Sequence, residues 1–138
     1  MSIADALAIC GTDVSATSVI IVYHMFAMQS WFTRVENARI ESIRLSLMTS
    51  PDDIERESMR LQIIDLNKAF PWVQVAILGV AVVSMAAVGT TVVLMTKGLP
   101  VPLVLFPLGG LVVIYAVSSV VTYFKGVRAI AESRTYLA

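Results

Sequence analysis

Three stretches of this chain carry no Asp, Glu, Lys or Arg: Val14–Thr33, Ala69–Thr96 and Gly98–Phe124, of 20, 28 and 27 residues. A helix needs about 20 mainly apolar residues to cross about 30 Å of hydrocarbon. The second and third stretches exceed that length and consist largely of Val, Ile, Leu and Ala. The first, VSATSVIIVYHMFAMQSWFT, reaches it while carrying Ser15, Thr17, Ser18, His24 and Gln29. The pattern predicts an all-α integral membrane protein with transmembrane helices at 14–33, 71–96 and 103–124. A short extracytoplasmic lead-in at 1–13, an outer loop at 97–102 and a cytoplasmic tail at 125–138 flank them, leaving a charged segment at 34–70 between the first and second spans.

Thirteen of the twenty charged residues lie between Arg34 and Lys68. Here the pattern changes to mixed charge with an apolar complement that includes Val35, Ile40, Leu45, Ile54, Leu61, Ile63 and Leu66. Opposite charges recur at i,i+3 in Glu36/Arg39, Glu41/Arg44, Glu57/Arg60 and Asp65/Lys68, each worth roughly 0.2–0.5 kcal/mol to a helix. The run is interrupted at Thr49-Ser50-Pro51-Asp52-Asp53. Ser50 fits an N-cap, Pro51 the first helical position, and the two aspartates the positive helix start. The expectation is a cytoplasmic helical hairpin at 34–70 between the first and second spans. The first helix would run from about Val14 to Met48; the second would start near Pro51 and enter the next span at Pro71. A proline there removes an i→i−4 hydrogen bond and kinks or breaks the helix. The arms hold more apolar residues than a thin hairpin buries, which suggests a docking surface.

Charge placement orients the chain. No Lys or Arg precedes Arg34, six lie in Arg34–Lys68, only Lys97 separates the second and third spans, and Lys125, Arg128 and Arg134 follow the third. The positive-inside rule then puts the N-terminus outside and the C-terminus in the cytoplasm of a cell inner (plasma) membrane. Aromatic pairs agree with this: Trp31 and Phe32 before Arg34, Phe70 and Trp72 after Lys68, Tyr123 and Phe124 before Lys125. These nine residues read as membrane-interface anchors, rings at the headgroups and cations reaching to water. The opening MSIADALAICGTD has no basic start and carries Asp5, so it does not read as a cleaved signal peptide.

Composition narrows the class. Hydrophobic residues make up 57% and charged residues 14%, against about 45–50% and about 25% in soluble domains. Ten basic and ten acidic residues cancel, so nothing points to nucleic acid. The single cysteine, Cys10, excludes an intramolecular disulfide and a multi-cysteine metal site. The spans contain no Asp, Glu, Lys or Arg, which argues against an ion-coupled transporter. No metal-binding His-Glu pair, nucleophile elbow or phosphate loop is present, so no enzyme and no cofactor are expected.

What chemistry remains is sparse. The second span is rich in small residues, with Ala86/Thr90 and Ala87/Thr91 at small-xxx-small spacing. Small side chains let helices approach closely in lipid, which gives no hydrophobic drive for association. Ala76, Gly79, Ala86, Ala87, Thr90 and Thr91 are the expected interface. Pro107, followed by Gly109-Gly110, predicts a helix break or bend in the third span. His24 is the one titratable group near the middle of a span, with Met28 a turn on. His and Met can hold haem or copper. An interhelical hydrogen bond to a Ser or Thr is the simpler role.

The stretch FTRVENARIESIRL (Phe32–Leu45), with the helix before it and the apolar pair after it, resembles a family of small bacterial three-helix membrane proteins of unknown function, over about Val14–Arg128. The plan also resembles bacterial effectors that form pores with paired helices. Neither resemblance supplies catalytic residues. The function expected is non-enzymatic: assembly in the bilayer as a homo-oligomer or an accessory subunit of a larger membrane complex. A small oligomeric ion channel or pore is the alternative, and a cofactor-holding subunit using His24 stands behind it.

Overall fold

The structure, a computed structural model, describes residues 2–50, 52–96 and 101–138; the side chains at 101–108, 111 and 112 lie outside what it describes. Four helices follow one another: α1 (Ile3–Leu47), α2 (Asp53–Lys68), α3 (Trp72–Met95) and α4 (Val101–Leu137). All regular structure among the described residues is helical. Three helical stretches are long and apolar enough to cross a membrane: Ile3–Leu47, Asp53–Met95 and Val113–Leu137.

α1 begins at Ile3 rather than near Val14 because Ser2 and Asp5 cap it reciprocally. Asp5 N–H donates to Ser2 Oγ (3.1 Å), and the Ser2 N–H and hydroxyl donate to Asp5 Oδ2 (3.3 and 2.5 Å). This is a capping box, which satisfies two donors that a helix start otherwise leaves unpaired. The lead-in at 1–13 is therefore mostly helix. The cap of α2 is Asp52 and not Ser50: Asp52 Oδ1 accepts from Ile54 N–H at 3.1 Å, and Ser50 lies exposed in a bend. The expected role of Pro51 falls outside the described residues. At Pro71 the chain breaks: α2 stops at Lys68, Ala69 N–H closes on Asp65 O (2.8 Å), and α3 restarts at Trp72. α4 is helical through Pro107 and Gly109-Gly110, and it continues past Phe124 to Leu137, so the tail is helix too.

The chain forms two compact units. Met1–Met25 and Trp72–Ser118 make the first, Phe26–Pro71 and Ser119–Ala138 the second. In the first unit Ala6 and Cys10 pack with Met85 and Val92, with Val14 and Val88 beside them. In the second, Trp31 meets Leu66 while Arg44 meets Glu55, so α2 runs antiparallel to that part of α1. α4 joins them as a third helix, running with α1: Gly126 lies against Trp31, and Glu132 pairs with Arg39. The sequence predicts two arms here, with an apolar surplus that two arms alone do not bury. Ala129, Ile130 and Leu137 of α4 supply part of the cover, all three being buried.

Candidate functional site

The inward stripe of α1 follows a 3.5-residue repeat. Cys10, Thr17, His24, Trp31, Ala38 and Leu45 are buried at every seventh position, and Ile21, Met28, Val35 and Ser42 are buried between them. That is the period of helices packing side by side as in a left-handed coiled coil. Large apolar side chains also stand on the outward faces of the helices. Val19, Phe26, Val80, Val83, Leu94 and Ile114 are each exposed, while Thr17, His24 and Thr96 are buried. Only 22%, 17% and 22% of the most apolar windows of the three long helices are covered by protein. Hydroxyls on these helices are turned onto their own backbone, as in Ser15 Oγ–Gly11 O (2.8 Å), Ser18 Oγ–Val14 O (2.8 Å) and Thr90 Oγ1–Ala86 O (2.8 Å). Such bonds let a polar side chain stand in apolar surroundings without an unsatisfied donor.

His24 is 1% exposed, with the Tyr115 ring 5.5 Å away and tilted by 53°. The Tyr115 hydroxyl donates to Ile21 O at 2.5 Å, tying α4 to α1 one turn before His24. Met28 is buried on the same stripe of α1. Among the described residues, no three of His, Cys, Asp and Glu cluster to hold a metal ion.

The expected small-residue interface faces out. Ala76, Gly79, Ala86, Ala87, Thr90 and Thr91 are all exposed, and a methyl at Gly79 would meet nothing within 4 Å. Inside the first unit α3 instead buries Met85, Gly89 and Val92. The prolines chosen as helix breaks differ in outcome: Pro71 stands in the gap between α2 and α3, and the side chain of Pro107 lies outside the described residues.

The interface anchors divide. Phe32 is half-buried, and Trp72, Phe124, Arg34, Lys68 and Lys125 are exposed. Trp31 and Phe70, expected to face headgroups, are instead buried, and Tyr123 is half-buried. The three rings pack on one another: Trp31 to Phe70 at 4.9 Å and 90°, Phe70 to Tyr123 at 4.9 Å and 75°. Edge-to-face contacts of this kind match the ring quadrupoles. The reason they turn inward is the end of α2. Trp31 Nε1–H donates to the carbonyl of Leu66, in the last turn of α2, at 2.9 Å. An indole thus caps a helix C-terminus. Gly126 makes room: a methyl there would fall 2.2 Å from Trp31 Cη2 and 2.3 Å from Cζ3.

Ion pairs join the second unit at its solvent-facing edges. Arg39 pairs with Glu36 (2.5 Å) and Glu132 (3.4 Å), Arg44 with Glu41 and with Glu55 (3.5 Å), Arg60 with Glu57 (3.4 Å), and Arg128 with Glu132 (3.2 Å). Asp65 and Lys68, expected as a fourth i,i+3 pair, form none among the described residues. An open groove of about 630 Å³ is lined by Arg60, Ile63, Ile64, Arg134, Leu137 and Ala138. No family model, curated protein or solved structure matches this chain.

Proposed function

We propose that this chain is a non-enzymatic integral membrane protein that acts by assembly, as a homo-oligomer or as an accessory subunit of a larger membrane complex. Three helices cross the inner membrane, the N-terminus lies outside, and the second unit with the C-terminus lies in the cytoplasm. The observation that carries this reading is the uncovered apolar surface: Val19, Phe26, Val80, Val83, Leu94 and Ile114 are all exposed, on helices whose most apolar windows are covered by protein over less than a quarter of their residues. Water penalises such a surface by about 25 cal/mol for each Å² of apolar area, and lipid does not. The exposed small residues of α3 support assembly, since a helix surrounded by lipid alone has no use for a face of close approach.

Topology is tested with single cysteines at Ser2, Gly98 and Ser58 in a Cys10→Ser background. Positions 2 and 98 should react with an impermeant thiol reagent from outside the cell, and position 58 only after lysis. Labelling of position 2 from the inside alone would reduce the crossings to two. Liposomes containing the purified protein test the competing reading. Ion flux through them would make it a channel.

A further inference from the structure

We propose that Arg34, Lys68 and Lys125 form a girdle that binds the phosphate groups of anionic phospholipids at the cytoplasmic leaflet. The inference rests on the membrane reading above and adds a ligand class to it. The three cations come from three separate elements, and the aromatic cluster gathers those elements. Arg34 follows Trp31 by one turn on α1, Lys68 ends α2 two residues before Phe70, and Lys125 follows Tyr123 by two residues on α4. With Trp31, Phe70 and Tyr123 in ring contact at 4.9 Å each, the three segments are held at one level of the second unit.

All three cations are exposed, and among the described residues none of them is in an ion pair. The acidic residues nearest to them in sequence leave them free: Glu36, two residues past Arg34, pairs with Arg39, and Asp65 makes no pair with Lys68. Farther from the rings the pattern reverses, and Arg39, Arg44, Arg60 and Arg128 are each matched to a glutamate. Arg56 and Arg134 are also unmatched, but they stand well beyond the ring cluster along α2 and α4. Arg134 is nine residues past Lys125, or about 13 Å along a helix, more than a Debye length in physiological salt. Charge left unneutralised at one level, directly beside the apolar helices, is complementary to a surface of fixed negative charge at that level. Phe124, exposed between Tyr123 and Lys125, adds an apolar ring at that boundary. An acidic protein segment reaching this level would have to pass the outer part of the unit, where Asp52, Asp53, Glu55 and Glu57 would repel it.

The test uses the full chain in mild detergent, titrated with phosphatidylglycerol or phosphatidylcholine and read by native mass spectrometry as lipid retained. The parent should retain phosphatidylglycerol preferentially, by about fivefold for each cation. Gln at all three positions should abolish the preference. The charge-conserving triple variant (Arg34→Lys, Lys68→Arg, Lys125→Arg) should keep it, and Arg134→Gln should not alter it. Inorganic phosphate at moderate concentration should fail to displace the lipid, and displacement would reassign the site to a soluble phosphate. Equal retention of both lipids by the parent, unchanged preference in the triple Gln variant, or equal competition by an acidic peptide would overturn the proposal. Failure of the chain to insert into liposomes at all would instead overturn the membrane reading beneath it.

Discussion

Gly126 is the position at which one atom matters most. The Trp31 indole lies where its side chain would be, and the same ring donates to Leu66 O at 2.9 Å. Gly126→Ala forces the buried ring to move, and overpacking of this kind costs about 1–3 kcal/mol. Trp31→Phe alone should cost about 1 kcal/mol for the lost hydrogen bond, plus the packing of the missing ring atoms. The two changes share one contact, so they should not add. Gly126→Ala should be milder in a Trp31→Phe background, as measured by thermal unfolding in detergent. Strict additivity would remove the indole from this position. His24 gives a second case. It is 1% exposed beside Tyr115, so its polar atoms serve the interior of the first unit. His24→Gln keeps a donor and an acceptor and should unfold within about 0.6 kcal/mol of the parent, the mean worth of an interhelical hydrogen bond in a membrane protein. A chromophore present in the parent and lost in this variant would show instead that His24 is a ligand.

At the scale of elements, helix ends and helix faces were legible to different degrees. The three apolar runs could be read directly, because absence of charge over 20 residues is a strong and local signal. The start of α1 was legible as well, in the capping box Ser2-Ile3-Ala4-Asp5. Facing directions were not legible. In a soluble helix the inward face is the apolar one; here Thr17, His24 and Ser42 lie on the inward stripe, and Phe26 lies outside it. Hydrophobicity alone therefore marks the seam incompletely, and the 3.5-residue spacing supplies its polar members. The same ambiguity set Trp31 and Phe70 among lipid-facing rings, since flanking cations locate a ring along the membrane normal without orienting it. Two predictions belong at this scale. Asp52→Ala should destabilise α2 by about 1 kcal/mol, as seen by amide exchange through its first turn, because Ile54 N–H loses its acceptor. Glu41 is held below the ordinary carboxylate value of 4.5, mainly by the hydrogen bond from Arg44. A pKa depressed by folding contributes stability above the unfolded value, and that stability is lost as the pH falls through the folded one. Helicity should thus weaken on acidification below about pH 4.5, and Arg44→Gln should remove part of that response; an identical acid titration in the variant would exclude this pair as a source.

At the scale of the whole molecule, the question is what covers the outward face of α3. Met85, Gly89 and Val92 already fill the face used within the chain, so Ala76, Gly79, Ala86, Ala87, Thr90 and Thr91 are left over. Lipid tails would accept larger side chains at these positions at no cost, and larger side chains would even shield the helix backbone better. Close approach of another helix is the condition under which small residues are useful. Ala87 lies at the centre of that face. Ala87→Leu should therefore weaken association, because methylenes added at a close-packed contact cost about 1–3 kcal/mol. That corresponds to a loss of roughly 5- to 150-fold in association constant, with the fold of the single chain preserved. A proper comparison is Val113→Leu on α4, which also adds bulk at a position 62% exposed but outside the small-residue face. The native mass of the gently solubilised protein separates the outcomes: a lower mass for Ala87→Leu with Val113→Leu unchanged places the contact on α3. The same assembled mass for both variants would mean that this face meets lipid, and that whatever this chain assembles with is bound elsewhere.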